Sequence, residues 1–447
     1  MIRPYERPVK ASQESQAMQI LALDVGTSSV KAAVLDVADG TAVGPIGRAP
    51  CRLEQTEPEA AVLDPEATWQ AIGSASRAAA TGQKVEGVGI SCLSPAWILL
   101  DAADRPLTPL VTHLDRRARP LARQIWNEHG QDFLRSTGNK PLPGGMSGIG
   151  CRFLLQQRPD LTARIRRYLH CNGWLGLRLT GNTAFDPGNA SFTGLYDTMG
   201  SQTWSTRWCG VLGIDLDWLP PVWSGDRTLG PLLPETAQHL GVSAGIPVKL
   251  GTADTSCAML AAGMGPRDLL HVVGTTQVLA RHAAAPVPAE NRLTRQLGVG
   301  TSYIHVTHNP VGGAALDWMH QLCFRDLSAS EFYGKAVRLA LERPVEAVLD
   351  PPFLGGDRLE IEPRRAGFQQ LGLATDRIDL LAAVLDAIRR HHRTALEALG
   401  TPQNFERVFL TGGGADVVAQ LIEEYRQWTI ARLDEGSLRG VAALFRA

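Results

Sequence analysis

The sequence lacks the features of a disulfide framework, a zinc cluster, a nucleic-acid binder or a membrane protein. Its seven cysteines are scattered over 447 residues and never form a C-x-x-C pair. That pattern is typical of reduced thiols, so a cytoplasmic location is predicted. The formal net charge is −1, from 44 basic and 45 acidic residues, so no nucleic-acid partner is expected. Every apolar run falls far short of the ~20 residues of a membrane span, so no membrane partner is expected.

Two common nucleotide-binding fingerprints are absent as well. The sequence contains no G-x-x-x-x-G-K-[ST] segment, which excludes a P-loop enzyme. It also contains no G-x-G-x-x-G segment, which argues against a dinucleotide-binding fingerprint. Any phosphate chemistry must therefore use a different kind of turn.

Residues 21–36 provide such a turn between two apolar strands. Gly26 permits a tight turn, and the amides and hydroxyls of Thr27 and Ser28 can face phosphate oxygens. Asp24, at the end of the first strand, can hold Mg²⁺ directly or through water. An ordinary β-hairpin with a polar turn explains this segment equally well.

Two later turns repeat the arrangement of an apolar strand followed by glycine. The three turns are Gly26-Thr27, Gly274-Thr275-Thr276 and Gly412-Gly413-Gly414. Backbone amides are otherwise unpaired at such places and bind phosphate well. Three of these turns in one chain predict a nucleotide held from both sides.

Asp254 lies between a predicted strand and a predicted helix. A carboxylate at this place can accept the proton of an attacking hydroxyl during phosphoryl transfer. The alternative is an aspartate that caps the helix, although Thr255 could serve as the cap instead.

The chain divides into two halves with similar patterns, which predicts two α/β domains facing each other across a cleft. We expect a flexible extension over 1–17, a first domain over 18–246 and a second over 247–447. The spacing predicts one helix over 161–180 that ends at Gly181. His391 and His392, in a predicted helix over 379–399, are expected on a solvated basic face.

Taken in order, these segments resemble the FGGY family of carbohydrate kinases over nearly all of 20–447. The segments that carry the resemblance are 24–31 (first phosphate motif), 186–191 (Asp-x-x-Asn-Ala-Ser), 251–254 (catalytic aspartate), 274–276 (second phosphate motif), 312–318 (Gly-Gly segment), 411–415 (adenosine motif) and 436–444 (closing helix). Their order and spacing are more specific than any one motif.

The resemblance implies an α/β fold of two actin-like ATPase (ribonuclease H-like) domains with a catalytic cleft between them. It implies Mg·ATP as phosphoryl donor, Asp254 as general base, Asp24 as the metal-organising residue, and a homodimer. The positions that it assigns to ATP and phosphate binding are Gly26, Thr27, Ser28, Lys31, Gly274, Thr275, Thr276, Gly312, Gly313, Gly412, Gly413 and Gly414.

The sugar side departs from the family pattern. The family's Gly-Gln-Met-His-Gly stretch reads Cys-Leu-Ser-Pro-Ala over 92–96, and its Trp-Asn-Asp-Gln-Arg stretch reads His-Leu-Asp-Arg-Arg over 113–117. Ser94, Trp97 and Asp115 are the candidates for sugar binding, together with Asp254. Trp97 could equally be a core residue.

The acceptor predicted first is a pentulose such as xylulose or ribulose. A heptulose, gluconate or glycerol is the alternative within the class. Two further hypotheses are a non-catalytic sugar- or nucleotide-binding relative and an actin-like ATPase without a sugar substrate. For Asp115, we favour a place in the sugar pocket over the alternative of a salt bridge with Arg116 or Arg117.

Overall fold

A computed structural model describes residues 18–274, 276–355, 358–362 and 364–446. The predicted extension over 1–17 and Thr275 of the second predicted phosphate turn lie outside the described residues.

Both halves of the chain contain β-strands. They are β1 (Gln19–Val25), β2 (Ser29–Asp36), β3 (Gly47–Pro50), β4 (Val62–Leu63), β5 (Val88–Cys92), β6 (Ala96–Leu100), β7 (Leu110–Thr112), β8 (Arg167–His170), β9 (Thr228–Pro231), β10 (Pro247–Lys249), β11 (Thr252–Ala253), β12 (Asp268–Val273), β13 (Gln277–Ala283), β14 (Leu293–Gln296), β15 (Tyr303–Asn309), β16 (Val348–Leu349), β17 (Phe368–Gln369), β18 (Arg407–Thr411) and β19 (Thr429–Arg432).

Helices connect and cover these strands. They are α1 (Pro65–Ala80), α2 (Arg119–Thr137), α3 (Ser147–Gln157), α4 (Cys171–Thr180), α5 (Pro187–Ser191), α6 (Thr206–Leu212), α7 (Pro234–Leu240), α8 (Asp254–Ala262), α9 (Gly313–Cys323), α10 (Ala329–Glu331), α11 (Val337–Glu342), α12 (Arg377–Leu399), α13 (Ala415–Leu421) and α14 (Gly436–Ala443). A π-helical segment (Phe332–Ala336) joins α10 to α11, and 3₁₀ turns span Pro159–Arg164, Leu216–Trp218, Phe353–Gly355, Pro402–Asn404 and Glu423–Arg426.

Two large sheets share the order of five strands, β3-β2-β1-β5-β10 in the first and β15-β13-β12-β18-β19 in the second. The first runs β3-β2-β1-β5-β10-β9, and the second runs β14-β15-β13-β12-β18-β19. In each sheet an antiparallel hairpin (β1 with β2, or β12 with β13) is followed by parallel strands on its other side (β5 and β10, or β18 and β19). This repeated order is what two related α/β domains require.

The first sheet also holds strands from the start of the second predicted domain. Both β10 and β11 pair with β5 in parallel. The division of the chain at 246 and 247 remains a proposal. A separate four-stranded sheet, in the order β4-β7-β6-β8, carries Trp97 on β6. Ser94 lies just before β6 and Asp115 just after β7.

The predicted helix over 161–180 is wrong in its first half. A 3₁₀ turn and β8 precede α4, which begins only at Cys171. The residues of β8 pair with β6, where Tyr168 lies opposite Leu99 and becomes fully buried. Tertiary pairing thus overrides local helical spacing. The predicted helix end is confirmed, because Gly181 has φ +77° and its amide bonds to Leu177.

The expected solvated face at His391 and His392 is also wrong for one of the two residues. His392 is fully buried, with its ring 5.0 Å from that of His271 and 5.2 Å from that of Tyr425. Helix α12 is long and amphipathic, and adjacent residues lie on different faces of a helix. No helix among the described residues is long and apolar enough to cross a membrane.

Candidate active site

Strand register brings the two predicted acidic residues to one edge of the first sheet. Asp24 on β1 lies opposite Ser91 on β5, and Ser91 lies opposite Thr252 on β11. Asp254 follows directly as the first residue of α8. Since β1, β5 and β11 are parallel, their carboxyl ends meet at the same edge, where α/β proteins place ligands. Gly251, which leads into β11, has φ +75°, and a Cβ there would lie 1.9 Å from the Ile90 carbonyl oxygen.

Asp24 is held by hydroxyl groups from two distant parts of the chain. Ser91 donates to Oδ1 at 2.9 Å and Ser437 donates to Oδ2 at 2.7 Å. The residue is only 7% exposed. Burial raises the pKa of Asp24 to about 6, and the negative charge of Asp254 acts in the same direction. The two hydroxyls and the charge of Lys31 oppose this rise.

Asp254 is positioned by its own helix. The backbone N–H of Thr255 donates to Oδ1 at 2.5 Å and the Thr255 hydroxyl donates to the same oxygen at 3.1 Å. Burial raises the pKa of Asp254, whereas these hydrogen bonds and the charges of Arg295 and Arg358 oppose the rise. The capping residue of α8 is Ala253, which makes no side-chain cap bond. The other oxygen of Asp254, Oδ2, is thus the atom that could accept a proton from a hydroxyl.

Arg295 is a neighbour of the site that the sequence analysis missed. It lies on β14, is 2% exposed, and donates from Nη1 to the Ser256 hydroxyl at 2.6 Å. Burial lowers the pKa of Arg295 to about 10, and the charges of Asp254 and Asp186 counteract that effect. A buried cation needs opposite charges nearby, so Arg295 and these carboxylates depend on one another. No motif surrounds Arg295, which is why spacing could not identify it.

The closing helix α14 also contributes residues that were not predicted individually. Lys31 forms an ion pair with Glu435 at 2.7 Å, and Arg48 contacts the same carboxylate. Glu435 precedes α14 and has φ 49°, a conformation rarely adopted by residues other than glycine. Ser437 follows in the first turn of α14. The predicted phosphate residue Lys31 therefore lies beside the start of the last helix.

The second sheet brings the remaining glycine turns together. Val272 on β12 lies opposite Thr411 on β18, so the turns that follow both strands share an edge. The Gly313 amide donates to the Gly274 carbonyl at 3.1 Å, and Gly312 precedes α9. Thr276 closes the turn, since its carbonyl accepts from the Gly274 amide at 3.1 Å.

The backbone conformation at position 412 requires a glycine. It has φ +95°, and a Cβ there would lie 2.3 Å from the Val273 carbonyl oxygen. By contrast, a Cβ at Gly413 would meet no atom within 4 Å. Gly414, next along the turn, donates its amide to the Val273 carbonyl at 3.1 Å.

Two adjoining cavities follow these turns. One, which we call the polar cavity, has a volume of about 560 Å³ and contacts both halves of the chain. Its lining includes Lys31, Asp254, Gly412 and Ser437. The other, of about 380 Å³, has a largely apolar lining that includes Gly274, Gly313, Leu316 and Val417. Gly413 borders both cavities. The polar cavity suits phosphates, and the apolar cavity suits a flat heterocycle.

The first predicted turn joins β1 to β2, just after Asp24. Gly26 does not have a positive φ, and its amide donates to the Ser29 carbonyl at 3.0 Å. Thr27 is partly buried and Ser28 is exposed. Beside the polar cavity, α8 and α14 both begin, so their N-terminal amides add to its affinity for anions.

The predicted sugar residue Ser94 begins a chain of directed hydrogen bonds. Its hydroxyl donates to Asn189 Oδ1 at 2.7 Å, and His170 Nδ1 approaches the same oxygen at 3.0 Å. The Asn189 amide nitrogen donates to Asp186 Oδ1 at 2.5 Å, which fixes the orientation of the amide. The hydroxyl proton of Ser94 is therefore used in the bond to Asn189, and the lone pairs of the Ser94 oxygen can accept a hydrogen bond from a substrate hydroxyl.

The other two predicted sugar residues lie deeper than Ser94. Trp97 is 3% exposed on β6, with its ring 5.9 Å from that of Tyr168. Asp115 is 7% exposed, accepts from the Ala61 amide at 3.1 Å and pairs with Arg117 at 2.7 Å. The structure thus forms the salt bridge that was the alternative for Asp115. A sugar-binding role of either residue remains a prediction.

Asp24 suits the expected Mg²⁺. Magnesium in such sites takes one or two carboxylates and completes its shell with water and substrate phosphates. Each oxygen of the Asp24 carboxylate accepts from one hydroxyl and has a further lone pair, and one of the donors, Ser437, lines the polar cavity. Within the described ranges, no three or more His, Cys, Asp or Glu residues are grouped so that they could hold a metal ion by themselves.

Comparisons with known proteins identify the family. A model of the N-terminal domain of the FGGY family of carbohydrate kinases matches residues 19–261, more than half of the chain. The L-xylulose/3-keto-L-gulonate kinase of Escherichia coli (strain K12) is 28% identical over 425 residues, covering 90% of this chain and 82% of that protein. YoaC of Bacillus subtilis (strain 168) is 26% identical over 266 residues, covering 58% of this chain and 53% of YoaC.

The fold gives the same result. The crystal structure of xylulose kinase from Rhodospirillum rubrum superposes with a TM-score of 0.83 at 25% identity, covering 96% of this chain and 89% of that one. The chain belongs to the FGGY family of carbohydrate kinases. The expected class of enzyme and the two-domain actin-like ATPase fold are therefore confirmed.

Proposed function

We propose that this chain transfers the γ-phosphoryl group of Mg·ATP to a hydroxyl of a small sugar. The observation that carries the proposal is a pair of carboxylates at the ends of β1 and β11, two parallel strands that flank β5. Asp24 is buried, whereas Asp254 is partly buried and lines the polar cavity. A protein that only binds sugar or nucleotide has no need of a carboxylate placed to accept a proton.

The proposed roles follow from the contacts. Asp254 accepts the proton of the attacking hydroxyl through the oxygen that Thr255 leaves free. The glycine turns and the start of α14 hold the phosphates through backbone amides. Asp24 would hold Mg²⁺, which supplies positive charge to the phosphate oxygens when bound. Without a P-loop lysine, positioning and the exclusion of water supply the remaining catalysis.

The sugar is less narrowly defined than the reaction. The Rhodospirillum rubrum relative is named for xylulose, and the Escherichia coli relative for L-xylulose and 3-keto-L-gulonate. A pentulose, the acceptor expected from the sequence, and a sugar acid are both candidates. The homodimer and the cytoplasmic location also remain predictions.

The test is ADP release with Mg·ATP against a panel of ketoses, polyols and sugar acids, with Asp254→Asn as the matched variant. We expect Asp254→Asn to lower kcat roughly 10²- to 10⁴-fold, the usual contribution of a general base. Nucleotide affinity, measured by calorimetry with ADP, should stay unchanged. Near-normal turnover in the variant would remove Asp254 as the base. ATP hydrolysis that no sugar alters would instead favour an ATPase.

A further inference from the structure

The sugar side of the cleft carries a group of nitrogen-bearing side chains that the proposed mechanism does not use. We call His113, Arg116, His308 and Arg358 the basic cluster. His113 and Arg116 lie between β7 and α2 in the first half of the chain, and His308 lies on β15 in the second half. Arg358 is the first residue of a short segment, 358–362, that packs against the first half.

Three contacts hold that segment against the first half. Arg119 donates from Nη1 to the Ile361 carbonyl at 2.7 Å. Lys140 pairs with Glu360 at 3.1 Å, and Arg123 contacts Glu362. Because Arg119 is three residues from Arg116 and Ile361 is three residues from Arg358, these contacts keep the two sides of the cluster face to face.

The two histidines of the cluster are neutral and retain hydrogen-bonding capacity. Burial lowers the pKa of His308 to about 3, and the charges of Arg358 and Arg116 act in the same direction. The same two arginines and burial also depress the pKa of His113. The Nδ1 atom of each ring is buried and has no hydrogen-bond partner among the described residues. Each ring can therefore offer an N–H to a bound group.

Arg358 is a charged side chain in a largely buried place. Burial lowers the pKa of Arg358 to about 10, with the charge of Asp254 counteracting the effect, so the guanidinium stays charged at neutral pH. No carboxylate in the described part of the chain lies within ion-pair distance of it. A buried charge without a close partner is costly, so an anion that joins it is bound favourably.

We propose that the acceptor is a sugar acid whose carboxylate binds the basic cluster, with Arg358 as its main contact. This inference rests on the proposed function. Asp254 and Arg358 act on each other electrostatically, so the carboxylate would lie beside the hydroxyl that reacts. Arginine binds carboxylate with two parallel hydrogen bonds, and the imidazoles supply further donors. The hydroxyls of a neutral sugar could hydrogen-bond to the imidazoles, but they would not compensate the charge of Arg358.

The γ-phosphate of ATP is the other anion that could reach Arg358. His113 argues for the sugar, because it follows β7 in the four-stranded sheet and not one of the glycine turns of the phosphate side. The expected acceptors are therefore aldonates or keto-aldonates of five or six carbons.

The test compares acceptors that differ only at one terminal carbon. The pairs are gluconate with glucitol, xylonate with xylitol, and 2-keto-gluconate with fructose. ADP release with Mg·ATP should give at least one acid a kcat/KM that exceeds its neutral partner's more than 10-fold. Arg358→Gln should lower kcat/KM for that acid roughly 10- to 100-fold, mainly through KM. The neutral partner should change less than threefold.

Two matched variants complete the comparison. Arg358→Lys should restore part of the acid's affinity because it retains the charge. Arg364→Gln removes an exposed arginine that lies just beyond the segment, and it should change neither acceptor more than twofold. Thermal unfolding of each variant checks that a loss of activity is not a loss of fold.

The outcomes separate this inference from the proposed function. Equal use of both partners in every pair would overturn the sugar-acid assignment and leave the kinase intact. A rise in the KM for ATP on Arg358→Gln, with acid preference kept, would assign the arginine to the nucleotide. Calorimetric binding of an acid that depends on Arg358, without ADP release from any acceptor, would support the inference while the kinase proposal fails. No binding and no turnover of the acids would overturn it.

Discussion

The proposed phosphate side and the proposed sugar side of the cleft are built in different ways. On the phosphate side, glycine turns follow parallel strands, and the strand register alone brings Asp24, Gly274 and Gly412 to their places. On the sugar side, Ser94 is positioned by side chains from α5 and β8 through Asn189 and His170. Backbone geometry can be reused with any acceptor, whereas a side-chain network can change with the substrate.

The largest expected effect tests whether Trp97 belongs to the sugar side at all. Since Trp97 is 3% exposed against Tyr168, Trp97→Ala should lower the free energy of unfolding by about 3–5 kcal/mol. Urea unfolding measures this loss. Trp318→Ala, at a tryptophan that is 38% exposed, is the control and should cost far less. A higher sugar KM with unchanged stability would return Trp97 to the sugar pocket.

Gly412 tests whether the phosphate side depends on backbone shape. Gly412→Ala puts a Cβ 2.3 Å from a carbonyl oxygen at a positive φ, so it should cost about 1–3 kcal/mol of stability and weaken ADP binding. Gly413→Ala, one residue along, has open space and should change stability by less than about 0.5 kcal/mol. Equal effects of the two variants would mean that the turn tolerates a side chain.

Substitution of Asp24 measures how much stability the protein loses by burying this charged carboxylate. Its pKa of about 6 lies above the ordinary 3.8, so the folded protein binds the proton more tightly than the unfolded chain. Stability therefore falls as pH rises from about 4 to 6, and the full cost of the buried charge is present above pH 6. Without nucleotide, Asp24→Asn should be more stable than the wild type by about 1–3 kcal/mol at pH 8.

That gain should shrink below pH 6 and disappear near pH 4, as measured by urea unfolding across the range. Asp416→Asn, at an exposed carboxylate, should show no such trend. A gain of the same size at pH 4 and pH 8 would show that ionisation of Asp24 is not its cause. Turnover of Asp24→Asn should be low at every pH, because the variant lacks the carboxylate proposed to hold Mg²⁺.

The smallest expected effect concerns Ser94. Ser94→Ala removes one acceptor of a sugar hydroxyl, so the KM for the sugar should rise about 3- to 10-fold while the KM for ATP stays within twofold. Steady-state ADP release measures both constants. Ser243→Ala, at an exposed turn, is the control. A change in the KM for ATP alone would place Ser94 with the nucleotide.

The same contrast explains what could be predicted from the sequence. Contiguous motifs at strand ends predicted the hairpin of β1 and β2, the glycine turns and the position of Asp254, because local sequence and strand register determine them. No motif surrounds Arg295 or Arg358, and the role of Ser437 within the closing segment is not visible from its motif. Only tertiary packing brings Ser437 to Asp24 and the two arginines near Asp254. The predicted helix over 161–180 was wrong for that reason, since β8 gains its pairing from β6.

The hydrogen bond from Ser437 to Asp24 joins residues 413 positions apart. During synthesis on the ribosome, at roughly 5–20 residues per second, Ser437 appears roughly 20–80 s after Asp24. The first sheet can pair before that, but Asp24 gains its second hydroxyl only when α14 docks. A nascent chain therefore holds Asp24 without this contact until Ser437 has been synthesised and α14 has docked, and truncation before Ser437 would remove the contact permanently.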